Sequence, residues 1–143
     1  MKKLNSISER IFNLLIKGLK SGKQVKLNNS KNLFMPVIVK KIKSFMISSF
    51  DKPAFAELFS IAHVRPGDHK EIEMQFLKIK GQGIFPVSMK DDDYMQEAIF
   101  FNGHRWQYRK LTLEELVNFS NYWMGLIFKQ QNLKLKEREA SHV

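Results

Sequence analysis

A chain of 143 residues with 43% hydrophobic content and no Cys is not a disordered polymer, a disulfide scaffold or a thiolate catalyst. Its length suits one domain with a sizeable core, expected to span residues 1–133 ahead of a charged tail at 134–143. The net charge of +10 is polarised: residues 1–50 carry eleven Lys or Arg against Glu9 alone, whereas residues 51–97 carry nine acids against six basic residues.

The opening MKKLNSISER has two Lys but no continuous apolar segment after it, because Arg10, Asn13 and Lys17 interrupt the run. No stretch approaches the roughly 18 apolar residues of a membrane span. A cytoplasmic protein is the expectation. Residues 6–21 have helical spacing: Ile7, Ile11, Phe12, Leu14, Leu15 and Leu19 share one side, with Arg10, Asn13, Lys17 and Lys20 opposite. Asn5, Ser6 or Ser8 can cap this helix, and Gly22 suits its far end. A basic amphipathic helix can lie on a membrane, but docking of its apolar side onto a core is the ordinary use.

Residues 24–29 alternate and predict a short strand. The turn NNSKN leads into LFMPVIVKKIKSFMI, a strand rich in β-branched residues, with Pro36 at its start. Further strands are predicted over 55–64, over 71–79 with Ile72, Met74 and Phe76 inward, and over 84–89. The Pro-Gly and Gly-Gln-Gly turns at 66–67 and 81–83 separate them. Next, 96–101 and 104–109 flank Asn102–Gly103, the dipeptide best suited to a type I′ turn. A two-residue loop would set Ile99 opposite Trp106 and Phe101 opposite His104.

Thr112–Gln131 is the firmest element. Thr112 and Glu115 have capping-box spacing. Leu113, Leu116, Val117, Ser120, Trp123, Met124, Ile127 and Phe128 form one stripe; Phe119, Tyr122 and Leu126 form a second. Two stripes call for two partners, and the first helix is the natural partner of the second stripe. The whole is expected to be α+β: a curled, mostly antiparallel sheet of about six strands, with N-terminal and C-terminal helices packed on one face.

Several fragments, taken in order, resemble an uncharacterised family of small proteins from bacterial mobile elements and phages. They are Met35–Pro36, Ile61–Ala62–His63, Gly67–Asp68, Glu73–Met74, Phe85–Pro86–Val87 with Asp91, Asp92 and Asp93, and Trp123 with Gln130–Gln131. The resemblance covers about residues 34–133. This chain departs from the pattern in a shorter loop between His63 and Asp68, and in Glu71–Ile72 where the family has Asp-Pro. The resemblance implies a setting in a phage, plasmid or integrated element, and no transferable activity.

Three functional readings follow. Between Ile11 and Phe50 there are eight Lys and no acid. Such a field attracts polyanions, though a Lys-rich composition also makes an ordinary solvated surface. Lys17, Lys20, Lys23, Lys26, Lys40, Lys41 and Lys43, with Arg105 and Arg109 beside the aromatics of the hairpin, are the candidate contacts for nucleic acid or a nucleoprotein. Recognition-motif signatures for sequence-specific binding are absent. The segregated basic field without a catalytic set leads to the expectation of a non-enzymatic binding module, and the resemblance implies a mobile-element role such as inhibiting host defence or assisting transfer. The second reading is a metal-dependent nuclease using His63, Asp68 and Asp91, since imidazole and carboxylates hold divalent ions; His69, Glu71, Glu73 and the Asp triplet are nearby in sequence. Turns collect such residues for solubility as well, and the spacing matches no standard ligand set. No glycine pattern makes a phosphate loop or a nucleophile elbow, and no cofactor is expected. The third reading is a homodimeric structural protein joined through Phe119, Tyr122 and Leu126.

Overall fold

Asn5 opens the first helix, α1 (Ser6–Ile16): its Oδ1 accepts the Ser8 N–H at 2.8 Å. The computed structural model describes residues 1–28, 36–48, 53–65 and 69–135. Ile11, Phe12 and Leu15 are buried, as the apolar spacing requires. The helix stops five residues short of the expected end. Lys17 leaves helical geometry, Gly18 takes φ +75°, and the Leu19 N–H returns to the Ile16 carbonyl at 3.0 Å. Glycine enters this left-handed region without steric cost, and the reversal lets Leu19 pack on the core. Gly18 therefore does what was expected of Gly22.

Six strands follow in sequence order: β1 (Gln24–Leu27), β2 (Val37–Ile47), β3 (Ala54–Arg65), β4 (His69–Ile79), β5 (Gly83–Lys90) and β6 (Met95–Glu97). Each pairs antiparallel with the next, giving an open meander of order β1-β2-β3-β4-β5-β6. Register shifts interrupt it at Lys41/Lys43, His63/Val64 and Gln75/Phe76. Bulges of this kind add twist and bend to a sheet.

The register assigns side chains to faces. Val37, Val39, Phe59, Ile61, His63, Met74 and Phe76 share one face. Onto it α1 places Phe12, whose ring meets Phe59 and Phe76 edge to face at 5.5 and 5.1 Å. The second helix, α2 (Lys110–Gln130), places Trp123 against His63 and Ser120 against Met74 on the same face. Both helices thus cover one side of the sheet, and the fold is α+β. Phe12, Phe59 and Phe76 are at most 1% exposed. Burial of each contributes about 1.5–3 kcal/mol, and edge-to-face ring pairs add to that.

The expected capping box of α2 does not form. The helix begins at Lys110, with Arg109 as N-cap and no side-chain cap bond, so Thr112 lies inside the first turn. A hydrogen bond from outside the helix sets this start instead: the Arg109 N–H reaches the Ala98 carbonyl at 2.8 Å, and the first helical bond then runs from the Leu113 N–H to the Arg109 carbonyl at 2.9 Å. Seven of the eight residues expected on the main stripe are buried, with Phe128 half-buried. In the second stripe Phe119 and Leu126 are half-buried against the core, and only Tyr122 stands out, 66% exposed.

The stretch expected to be one hairpin divides. Met95–Glu97 joins the main sheet as β6. Ala98 makes the corner, and β7 (Ile99–Phe101) pairs with β8 (Trp106–Tyr108) as a separate ribbon. Phe101 opposes Trp106 and Ile99 opposes Tyr108, two places away from the expected register. The cause is the Asn102 side chain, whose Oδ1 accepts both the His104 and Arg105 N–H groups at 2.8 and 2.9 Å. That turn of Asn's own making holds a four-residue loop in place of the two-residue type I′ turn. Because the shift is even, Ile99 and Trp106 keep a common face. Among the described residues, no helix is long and apolar enough to cross a membrane.

Candidate nucleic-acid interface

The sheet face away from the helices carries the alternate residues: Lys26 of β1, Ile38 and Lys40 of β2, Ser60 and Ala62 of β3. Past the first bulge, Lys43 and Phe45 of β2 join this face opposite Leu58 and Ala56. The β7–β8 ribbon docks here, because Trp106 stacks on Phe45 with centroids 5.6 Å apart and planes 23° apart. On one side of that stack Lys43 Nζ sits 5.3 Å from the Phe45 ring centre; on the other, Phe101 tilts against Trp106 at 5.6 Å. A cation and three rings thus run in series, and Arg105 immediately precedes Trp106 in the loop. Phe101 is 54% exposed and Tyr108 42%.

Most of the sequence-derived basic residues meet at this edge of the sheet. The Lys20–Lys23 turn is joined to β2: the Gly22 N–H reaches the Lys41 carbonyl at 2.8 Å, and the Lys41 N–H reaches the Lys23 carbonyl at 3.1 Å. Lys17, Lys20, Lys23, Lys26, Lys40 and Lys43 are exposed, as are Arg105 and Arg109. Three residues depart from the expected role. Lys41 points to the helix-bearing face, half-buried, and binds the Glu57 carboxylate at 2.5 Å. Lys17 lies at the C-terminal end of α1, in the helix layer. The field is therefore a band around the β1–β2 edge, and its flat part is Lys26, Lys40 and Lys43. Arg109 is turned inward along the ribbon: its guanidinium lies 4.3 Å from the Phe100 ring and donates to the Glu97 carbonyl at 2.9 Å. It braces the hairpin, and Phe100 is half-buried beneath it. The Lys43–Phe45–Trp106 stack could not be read from sequence, because nothing local links residues 43 and 106.

The candidate nuclease residues are arranged differently. Asp68 lies outside the described residues. His63 is 4% exposed, beneath α2, with Nδ1 accepting the Trp123 indole N–H at 3.1 Å. Burial lowers its pKa, against the opposing pull of the Glu71 charge. Asp91 is exposed in the turn between β5 and β6, its Oδ1 accepting the Asp93 N–H. The neighbouring acids already have partners: Glu71 pairs with Arg65 at 2.8 Å, Asp92 lies 2.9 Å from the His69 imidazole and 3.6 Å from Arg65, and Glu73 pairs with Lys70 at 2.8 Å. Glu73 also accepts from Ser60 Oγ at 2.7 Å. Its partial burial would raise its pKa, but the hydrogen bonds from Lys70 and Ser60 and the charges of Lys70 and Lys90 bring it below the usual value. Among the described residues, no group of three or more His, Asp or Glu is arranged to hold a metal ion.

Comparison with protein-family models, with curated proteins and with solved structures found no match.

Proposed function

We propose that this protein is a non-enzymatic binding module that engages single-stranded nucleic acid, bare or within a nucleoprotein, through the sheet face bearing Lys26, Lys40 and Lys43. The observation that carries the reading is the Lys43–Phe45–Trp106–Phe101 series at the edge of that face. Lysines neutralise phosphate and release counterions. Exposed rings give bases a surface to stack on, and this favours unpaired strands over duplex. The resemblance to proteins of mobile elements suggests the purpose, inhibiting host defence or assisting transfer of the element, with the cytoplasm as the place of action.

Fluorescence anisotropy with a labelled single-stranded oligonucleotide tests the reading. Binding should weaken steeply between low and moderate salt and should exceed binding to the matching duplex. Salt-independent binding, or none at low salt, rejects it.

A further inference from the structure

The helix-bearing face has an open cleft of about 560 Å³ beside the N-terminal half of α1, at the end of the sheet away from His63. Its floor comes from register partners, Glu57 of β3, Lys78 of β4 and Ile84 of β5. Phe55, Lys80, the 81–83 turn, Lys3 and Glu9 line its sides. The chain start is fixed in place: the Leu4 N–H reaches the Ile84 carbonyl at 2.9 Å, and Leu4 is 1% exposed. Gly83, at φ +134°, leaves the space that the Lys3 stem occupies, since a Cβ there would lie 2.7 Å from Lys3 Cδ. Lys78 is oriented by donating to Asn13 Oδ1 at 2.9 Å.

Volume, charge and shape restrict the occupant. The cleft falls in the few-hundred-Å³ range of small-molecule sites. Three lysines line it against two glutamates, and Glu57 is already engaged by Lys41. The excess is positive, which selects an anion; ammonium groups serve phosphate as point charges. Phe55 is 42% exposed, a ring face available to a planar group. The Glu9 carboxylate accepts only from donors such as sugar hydroxyls, and it disfavours a bare polyanion.

We infer that this cleft binds a small phosphorylated aromatic molecule of mononucleotide size, with Lys3 and Lys80 at the phosphate and Phe55 on the ring. The site is separate from the proposed nucleic-acid face, on the opposite side of the sheet, and does not depend on it.

Amide NMR titration of the full chain with adenosine monophosphate tests this. Saturable shifts at Gly81, Gln82 and Gly83 are expected, with adenosine and inorganic phosphate each binding at least about tenfold more weakly. Lys80→Glu, at an exposed position, should weaken binding about tenfold or more while the spectrum stays dispersed, and Lys40→Glu on the other face should leave it unchanged. The inference is overturned by absence of shifts at millimolar adenosine monophosphate. Equal binding of inorganic phosphate alone, or an equal loss in Lys40→Glu, also overturns it.

Discussion

The indole N–H of Trp123 donates to Nδ1 of His63 at 3.1 Å, and the two rings meet nearly perpendicular, 84° apart. This bond places the imidazole proton on Nε2, which is buried with no hydrogen-bond partner among the described residues. Protonating Nδ1 would set two N–H groups against each other. Burial lowers the His63 pKa, so the folded state binds this proton less readily than the unfolded chain. The stability it contributes is fully present above pH ~6.5 and is lost as pH falls through the lower folded value. His63→Leu removes the titration and leaves the indole unpaired, at a cost of about 1–3 kcal/mol at neutral pH. Denaturant unfolding at several pH values should show the gap between wild type and variant narrowing below pH ~6.5. A gap that stays constant down to pH 5 contradicts this account.

Phe12 ties α1 to the sheet through Phe59 and Phe76 and is fully buried. Phe12→Ala should cost about 3–5 kcal/mol, since the cavity sits between rings held on neighbouring strands. Thermal unfolding by circular dichroism measures it. A loss below 1 kcal/mol would mean that α1 is not an integral part of the core.

The two helix starts make a contrast. Asn5→Ala removes a formed cap and should cost about 1 kcal/mol. Thr112→Ala removes no cap, because α2 begins before it, and should change stability by only a few tenths of a kcal/mol in either direction. Equal losses in urea unfolding would restore the capping box.

The proposed interface separates charge from stacking. Lys43→Glu should lower the slope of log affinity against log salt by about 1. Phe101→Ala should weaken binding by about 1–3 kcal/mol, for one stacked base, and leave that slope unchanged. Lys41→Ala, which removes a residue already paired with Glu57, should have the smallest effect on binding of the β2 lysines. Anisotropy over a salt series distinguishes these outcomes, and identical slopes for all three variants contradict the interface.

Periodicity and composition were enough for the α+β class, the strand sequence and the buried stripe of α2, because short-range alternation decides which side of an element meets water. The concentration of lysine before residue 50 was equally plain. Its division was not. Lys40 and Lys41 are neighbours, yet one lies on the open face and the other crosses to Glu57, and only strand register shows which. Asn102–Gly103 marked a turn correctly, but the length of the loop was set by bonds from the Asn102 side chain that compete with the type I′ geometry. The start of α2 was set by Ala98, a residue outside the helix. The Lys43–Phe45–Trp106 stack and the cleft closed by Lys3 join residues far apart in the chain. Folding brings such residues together through the register of the sheet, and no local pattern carries that information.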